Sequence, residues 1–393
     1  MEFLGYQYYK VYSSFLLSLG LWSNDSTCFK QIRIIFCILM FIFLIIAQLL
    51  KLFTMEYDLD FILADLSFAI PSLVYFLKYS TFYIQSHKIR QLMEYIRNDW
   101  NALQNEQEIN IIRKYAVSAK RYMYAFVGVS YPGTIGFLLI SLLPDILDII
   151  VPLNESRTRH LPFMVEYFLN EQKYFYLLFL HIAVTVILGI TTVIATEALM
   201  LAYVYHICGM FKVIRYRIER ALNASTSISP MLRENMIHIK IIDAIEIHQR
   251  TIEFFEYLSS TFSLSYFILM VLGVISLSLN LFRLFQVAIL PDQKKNLASF
   301  VIFVSGHFCY MFICNYLGQK ITDNSTEIYN EVYNTQWYAA PIKTQKLLLF
   351  IMQRSIKSCK LVLGGIYYVS VENFTTLASM SLSYFTVLYS MQK

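Results

Sequence analysis

Charged side chains make up only 15% of the 393 residues, against about 25% in an ordinary soluble protein. That scarcity excludes a conventional water-soluble globule. The six cysteines, Cys28, Cys37, Cys208, Cys309, Cys314 and Cys359, form neither CxxC pairs nor a His-supported cluster, so neither a disulfide framework nor a zinc site is indicated. No HExxH, no GxSxG and no clustered acid and histidine set is present, so no enzyme activity and no cofactor is expected. The first thirty residues are interrupted by Lys10, Asn24 and Asp25 and lack a small-residue cleavage site, so no signal peptide is expected. Internal repeats, low-complexity tracts and flexible linkers are also missing, which leaves one domain over residues 1–393 and no basis for nucleic acid as a partner.

What is abundant is apolar surface. Hydrophobic residues reach 57% and the mean hydropathy is +0.51, which places the chain in a bilayer. Apolar runs predict an all-α fold of seven transmembrane spans at about 31–53, 61–85, 122–144, 174–206, 254–290, 297–318 and 361–392. Residues 345–360 are too short to cross before Arg354 and Lys357 intervene, and read as a cytosolic half-helix before the last span. Connections on the N-terminal side hold about 20 Lys and Arg and those on the other side about 8, which predicts a cytoplasmic N-terminus and an extracellular C-terminus.

That orientation is the reverse of a G-protein-coupled receptor. No Asp/Glu-Arg-Tyr follows the third span and no Asn-Pro-x-x-Tyr closes the seventh, which agrees with the charges. A transporter would show inverted repeats and interrupted midplane helices. Only Gly364-Gly365 interrupts a hydrophobic region, without a counterpart in the first half. The sequon Asn154-Glu155-Ser156 falls on the predicted outer side, where glycosylation is permitted.

Helices should also extend beyond the membrane. A continuous helix over 174–222 would measure about 73 Å, more than twice the hydrocarbon thickness. Ser229-Pro230 followed by an apolar face at Ile237, Ile241, Ile245, Ile252 and Phe255 predicts a similar extension below the fifth span. The projecting helices should pack into a cytosolic anchor. Lys78, His181, Glu197 and His307 are ionisable groups inside predicted spans; they read as scattered structural residues, with Lys78 reaching toward the interface.

The last span has its own pattern. Glu372, Thr376, Ser379, Ser383, Thr386 and Ser390 recur at gaps of three and four, which puts them on one helical face climbing about 27 Å. Such a face can line a channel, or its hydroxyls can bond their own carbonyls while small residues pack between helices.

The segments Cys314-Asn315-Tyr316-Leu317-Gly318-Gln319-Lys320, Tyr333-Asn334-Thr335-Gln336-Trp337-Tyr338, Gln345-Lys346-Leu347-Leu348 and Ser383-Tyr384-Phe385-Thr386-Val387-Leu388 resemble the insect odorant receptor family. The ending differs from the related gustatory receptors, which close with Gln-Phe. The resemblance implies a ligand-binding subunit of an odorant-gated, nonselective cation channel in the plasma membrane of sensory neurons. Its implied partners are the odorant receptor coreceptor, in an assembly of four subunits, a small volatile organic ligand, permeating cations and membrane lipid. It also implies a pore-lining last helix with a hydrophobic gate at Val387 and Met391, Ser390 beside it and Glu372 at the inner part.

In that family the odorant pocket lies among the second to sixth spans of the outer half. Depth and helical phase then select Phe68, Ser72, Tyr75 and Phe76, with Gly133, Gly136 and Ile140 where missing side chains make room. The fourth span offers Leu180, Ala183, Val184 and Ile187, the fifth Ser276 and Asn280, and the sixth Phe300 and Phe303. Contacts between subunits are expected around Tyr333, Trp337 and Leu347.

Overall fold

The computed structural model describes residues 4–22, 28–54, 59–103, 105–151, 157–223, 230–289 and 297–392. These residues form α1 (Tyr6–Ser18), α2 (Cys28–Thr54), α3 (Leu59–Ile84), α4 (Ser86–Asn101), α5 (Glu106–Ser141), α6 (Leu143–Ile150), α7 (Phe175–Leu222), α8 (Pro230–Ile289), α9 (Leu297–Asn334), α10 (Ile342–Ile356) and α11 (Val371–Gln392). Two short strands, β1 (Val362–Leu363) and β2 (Tyr367–Tyr368), pair antiparallel just before α11. The fold is therefore all-helical apart from one small hairpin.

Among the described residues, six helices are long and apolar enough to cross a membrane: α2, α3, α5, α7, α8 and α9. The expected seventh, α11, has 22 residues, and its Ser, Thr and Glu content keeps it out of that set.

Helices α7 and α8 are the axis of the molecule. Their 48 and 60 residues correspond to about 72 Å and about 90 Å, so both run well past any bilayer. Pro230 stands at the first position of α8, where its missing N–H has no intrahelical partner to lose. One end of the bundle, here the base, packs α1, α4, the start of α5, the end of α7, the start of α8, the end of α9 and α10 around a single apolar core. The opposite end, the rim, carries the end of α2, the start of α3 and the segment 157–174.

Buried charge pairs hold the base. The Glu108 carboxylate accepts from Arg217 Nε at 2.9 Å and Nη2 at 2.8 Å, a two-pronged geometry that suits a planar guanidinium. Asp99 meets His206 at 2.9 Å, and Arg215 pairs with Glu327 and Glu331. Asn105 caps α5, its side chain accepting from the Glu108 N–H at 3.0 Å. The base is thus closed by polar contacts as well as by apolar packing.

Several boundaries differ from those read off the sequence. Helix α11 starts at Val371, not near 361, because Gly364 and Gly365 adopt φ of +59° and +72° and turn the chain into the hairpin. Ser370 then opens α11, its Oγ accepting from the Asn373 N–H at 3.1 Å. The half-helix expected at 345–360 is α10, Ile342–Ile356. Its end at Ile356 lets the following chain pass beneath α9, where the Cys359 N–H donates to Ser325 Oγ at 3.0 Å. The sequon at Asn154 lies outside the described residues.

Candidate functional site: a polar helix face and a buried inter-helix region

The polar positions of α11 form one continuous exposed face. Glu372, Thr376, Ser379, Ser383, Thr386 and Ser390 are all exposed, and Val387 is exposed beside them. On the opposite side Leu377 and Ser381 are buried against α8 and α9, and Phe385, Leu388 and Tyr389 pack with Leu63, Ile70 and Phe282. The side chain of Met391 lies outside the described residues. Ser383 Oγ donates to Ser379 O at 2.9 Å, Thr386 Oγ1 to Ser383 O at 2.7 Å and Ser390 Oγ to Val387 O at 2.8 Å. The hydroxyl protons are thus held along the helix, which leaves oxygen lone pairs to face outward. Both readings of the stripe meet here: three of its hydroxyls bond their own helix, and among the described residues nothing covers the face.

The start of α11 is clamped to its neighbours. Ser263 Oγ on α8 donates to Val362 O and accepts from the Gly364 N–H, both at 2.9 Å. Tyr367 donates to Asn315 Oδ1 at 2.7 Å and Tyr368 to Thr322 Oγ1 at 3.1 Å, both on α9. A Cβ on Gly318 would fall 2.5 Å from Val369 Cγ1, so only glycine lets the hairpin lie this close to α9. The segment from Cys314 to Lys320 therefore serves as the seat of the hairpin.

The expected pocket residues do not all converge. Phe68 stacks on Phe163 and Phe137, at 5.5 and 6.1 Å between ring centroids, while Ser72 is buried and donates to Phe68 O. Tyr75 lies flat on α7, where a Cβ on Gly189 would come within 2.2 Å of its ring. Phe76 is half-buried against the main core, and Ala183 and Val184 are half-buried on α7. These residues lie at least half-buried along α3 and α7, Phe68 in one apolar cluster and Tyr75 and Phe76 in another.

The other expected residues lie elsewhere. Gly133, Gly136 and Ile140 lie on the exposed side of α5, and a Cβ on either glycine would meet nothing within 4 Å. Their missing side chains open space outside the bundle, not within it. Leu180, Ile187 and Phe303 are exposed as well, as apolar residues on the outer face of a membrane helix would be. Ser276 and Asn280 are buried on α8, but Asn280 Nδ2 is spent on Ser276 O at 2.7 Å. Phe300 is half-buried beneath the Arg283 guanidinium.

Two of the ionisable groups read as scattered prove to be partners. Lys78 on α3 pairs with Glu197 on α7. Tyr310 on α9 donates to the same carboxylate at 2.9 Å and Tyr266 on α8 at 3.4 Å. The ammonium also sits 4.9 Å from the Tyr266 ring centre, a cation–π contact. Four helices therefore meet at one charge pair, and Lys78 has no need to reach the interface. His181 bonds to Tyr167 at 2.8 Å near the rim.

At the base, Tyr333 is exposed and stacks on Tyr329. Trp337 and Leu347 are half-buried against the core. Beside them Tyr338, Ile342, Leu349 and Phe350 leave apolar surface uncovered.

The model of the 7tm odorant receptor family matches residues 58–382, most of the chain and all of the expected pocket residues. The chain belongs to the insect odorant receptor family. Odorant receptor 9a of Drosophila melanogaster is 23% identical over 207 residues, covering 51% of this chain and 48% of its own length. Odorant receptor 85f of the same fly is 30% identical over 93 residues, covering 24% of each. The chain thus spans about half, or less, of the length of these relatives. The olfactory receptor OR5 from Machilis hrabei, solved in complex with eugenol, has the same fold, with a TM-score of 0.82 over 98% of both chains at 16% identity. A second structure of the same receptor gives 0.77 over 98% of this chain and 97% of its own at 15% identity. For this odorant receptor the likeness covers the fold from base to rim.

Proposed function

We propose that this chain is the ligand-binding subunit of an odorant-gated, nonselective cation channel. It assembles with the odorant receptor coreceptor into a tetramer in the plasma membrane of sensory neurons. In this reading α11 is a seventh span, the N-terminus is cytoplasmic and the C-terminus extracellular. The observation that carries the proposal is the exposed polar face of α11. Lipid offers that face no hydrogen-bond donors, whereas water in a conduit shared among subunits does. Val387 supplies an apolar constriction on the same face, with Met391 one turn farther on.

The ligand is a small volatile molecule, as eugenol is for the receptor from Machilis hrabei. It binds between α3 and α7, around Phe68, Ser72, Tyr75, Phe76, Ala183 and Val184, and shifts the channel by its differential affinity for the open state. The uncovered apolar surface around Tyr333, Tyr338 and Phe350 favours assembly, because a cytosolic base would otherwise expose it to water.

Expression with and without a coreceptor, with recording of odorant-evoked cation current, tests this reading. Direct gating predicts current that needs the coreceptor and persists when G-protein signalling is blocked. Current carried only through G-protein signalling would overturn it.

A further inference from the structure

Gln48 on α2 and Asp65 on α3 are respectively 0% and 1% exposed. Among the described residues, neither the two polar atoms of the amide nor the two oxygens of the carboxylate have a hydrogen-bond partner. Burying a carboxylate without donors is costly, and a charged one still more so.

The two residues stand at one level. Helices α2 and α3 pack on each other, α2 ending at Thr54 and α3 beginning at Leu59. Gln48 precedes the end of α2 by six residues and Asp65 follows the start of α3 by six, so each lies about 9 Å along its helix from that end.

The nearest basic side chain along α2, Lys51, is committed to Glu166 at 3.2 Å. Glu166 belongs to the rim segment, whose own N–H donates to Ala47 O at 2.9 Å, next to Gln48. One turn along α3 from Asp65, Phe68 begins the apolar stack with Phe163 and Phe137.

The unmatched atoms specify a chemistry. Three are acceptor oxygens and one is an amide nitrogen. A primary ammonium brings three donors for the three oxygens and a positive charge for the carboxylate, and leaves only the amide nitrogen, itself a donor, unmatched. A hydroxyl could accept from the amide nitrogen but brings one donor and no charge, which would leave two of the three oxygens bare. We propose that Gln48 and Asp65 form a recognition site for a small primary amine, its ammonium held between α2 and α3 and its hydrocarbon tail laid along Phe68. The inference rests on the reading that this bundle binds small ligands, and it names the class of ligand.

The test is a thermal-shift titration of the full-length purified chain with hexylamine, 1-hexanol and hexane. Hexylamine should stabilise the protein at lower concentration than 1-hexanol. Asp65→Asn should raise the half-saturating hexylamine concentration at least about tenfold, the loss expected for a charge-assisted bond, and should narrow the gap to 1-hexanol. Gln48→Met, which removes one acceptor and no charge, should act in the same direction more weakly and serves if Asp65→Asn fails to fold. Equal binding of hexylamine and 1-hexanol to the unaltered chain overturns the proposal, as does unchanged hexylamine binding in both variants. Hexylamine binding without odorant-evoked current would uphold this site and defeat the channel reading. Odorant-evoked current without hexylamine binding would do the reverse.

Discussion

The base and the last helix solve the same problem, where to put polar groups, in opposite ways. In the base buried polar groups meet partners on other elements: Arg217 on Glu108, Arg215 on Glu327 and Glu331, His206 on Asp99. On α11 the polar groups share one face with nothing among the described residues opposite them. Those buried polar groups of the base find partners within the chain, although its Tyr338 and Phe350 stay uncovered, whereas the polar face of α11 is exposed throughout. Perturbations of the base should accordingly appear as lost stability, and perturbations of the α11 face as altered current.

The largest effect is expected at the base. Arg217→Met strands the Glu108 carboxylate, 1% exposed, and removal of one partner from a buried pair costs about 3–5 kcal/mol. Thermal unfolding in detergent should fall steeply and surface expression with it. A variant of normal stability would show that water reaches this pair, and the contrast with α11 would lose its basis.

Acid should act on the same region. His248, buried on α8 in the base, is held down to about 4, by burial first and then by the nearby Arg354. Its folded value is depressed, so the unfolded chain takes up the proton first. Stability is full above the ordinary histidine value near 6.5 and is lost as pH falls from there to about 4, by about 3 kcal/mol in all. His248→Phe should flatten that part of the pH–stability profile; an unchanged slope would assign the acid sensitivity to other groups.

Some of this was legible from the chain and some was not. The lengths of α7 and α8 and the start at Pro230 follow from periodicity and proline chemistry, which are local. The α11 face is equally local, since it depends only on spacing within one helix. The pairing of Lys78 with Glu197 joins positions far apart in sequence, and composition carries no signal for it. The glycines show a third case. Gly133 and Gly136 suggested internal room, yet missing side chains say nothing about which face of α5 looks inward. Gly318 carried no such suggestion, although the approach of Val369 requires it. Gly364 and Gly365 marked the break, but a turn into a hairpin and a kink in a helix look alike in one sequence.

The hairpin lies between the two regions and should show both kinds of effect. Gly318→Val places atoms where Val369 already stands, 2.5 Å from a Cβ, and overpacking of this kind costs about 1–3 kcal/mol. A β-branched residue brings little helix propensity to offset it. Because the hairpin positions the start of α11, the variant should lose current beyond what its reduced surface expression explains. Loss of expression alone would detach the hairpin from the gate.

The smallest change in stability should accompany the most direct change in function. Ser383 is exposed at the middle of the α11 face, and its hydroxyl bonds only to Ser379 O within the same helix. Replacing Ser383 with valine adds bulk only at an exposed site, removes a local bond that competes with the helix, and should move stability by no more than about 0.5 kcal/mol. If the face lines a water-filled path, the substitution takes away an outward lone pair and adds a methyl group, so unitary conductance should drop while the odorant concentration for half-activation stays nearly fixed. If the face is covered by lipid or by another helix, valine is at least as good a neighbour as serine and conductance should not move. Ser381→Val, on the buried side of the same helix, is the control: it should disturb packing without the selective fall in conductance. Equal conductance in Ser383→Val and the unaltered channel would mean that the polar face of α11 is not the path of the ions.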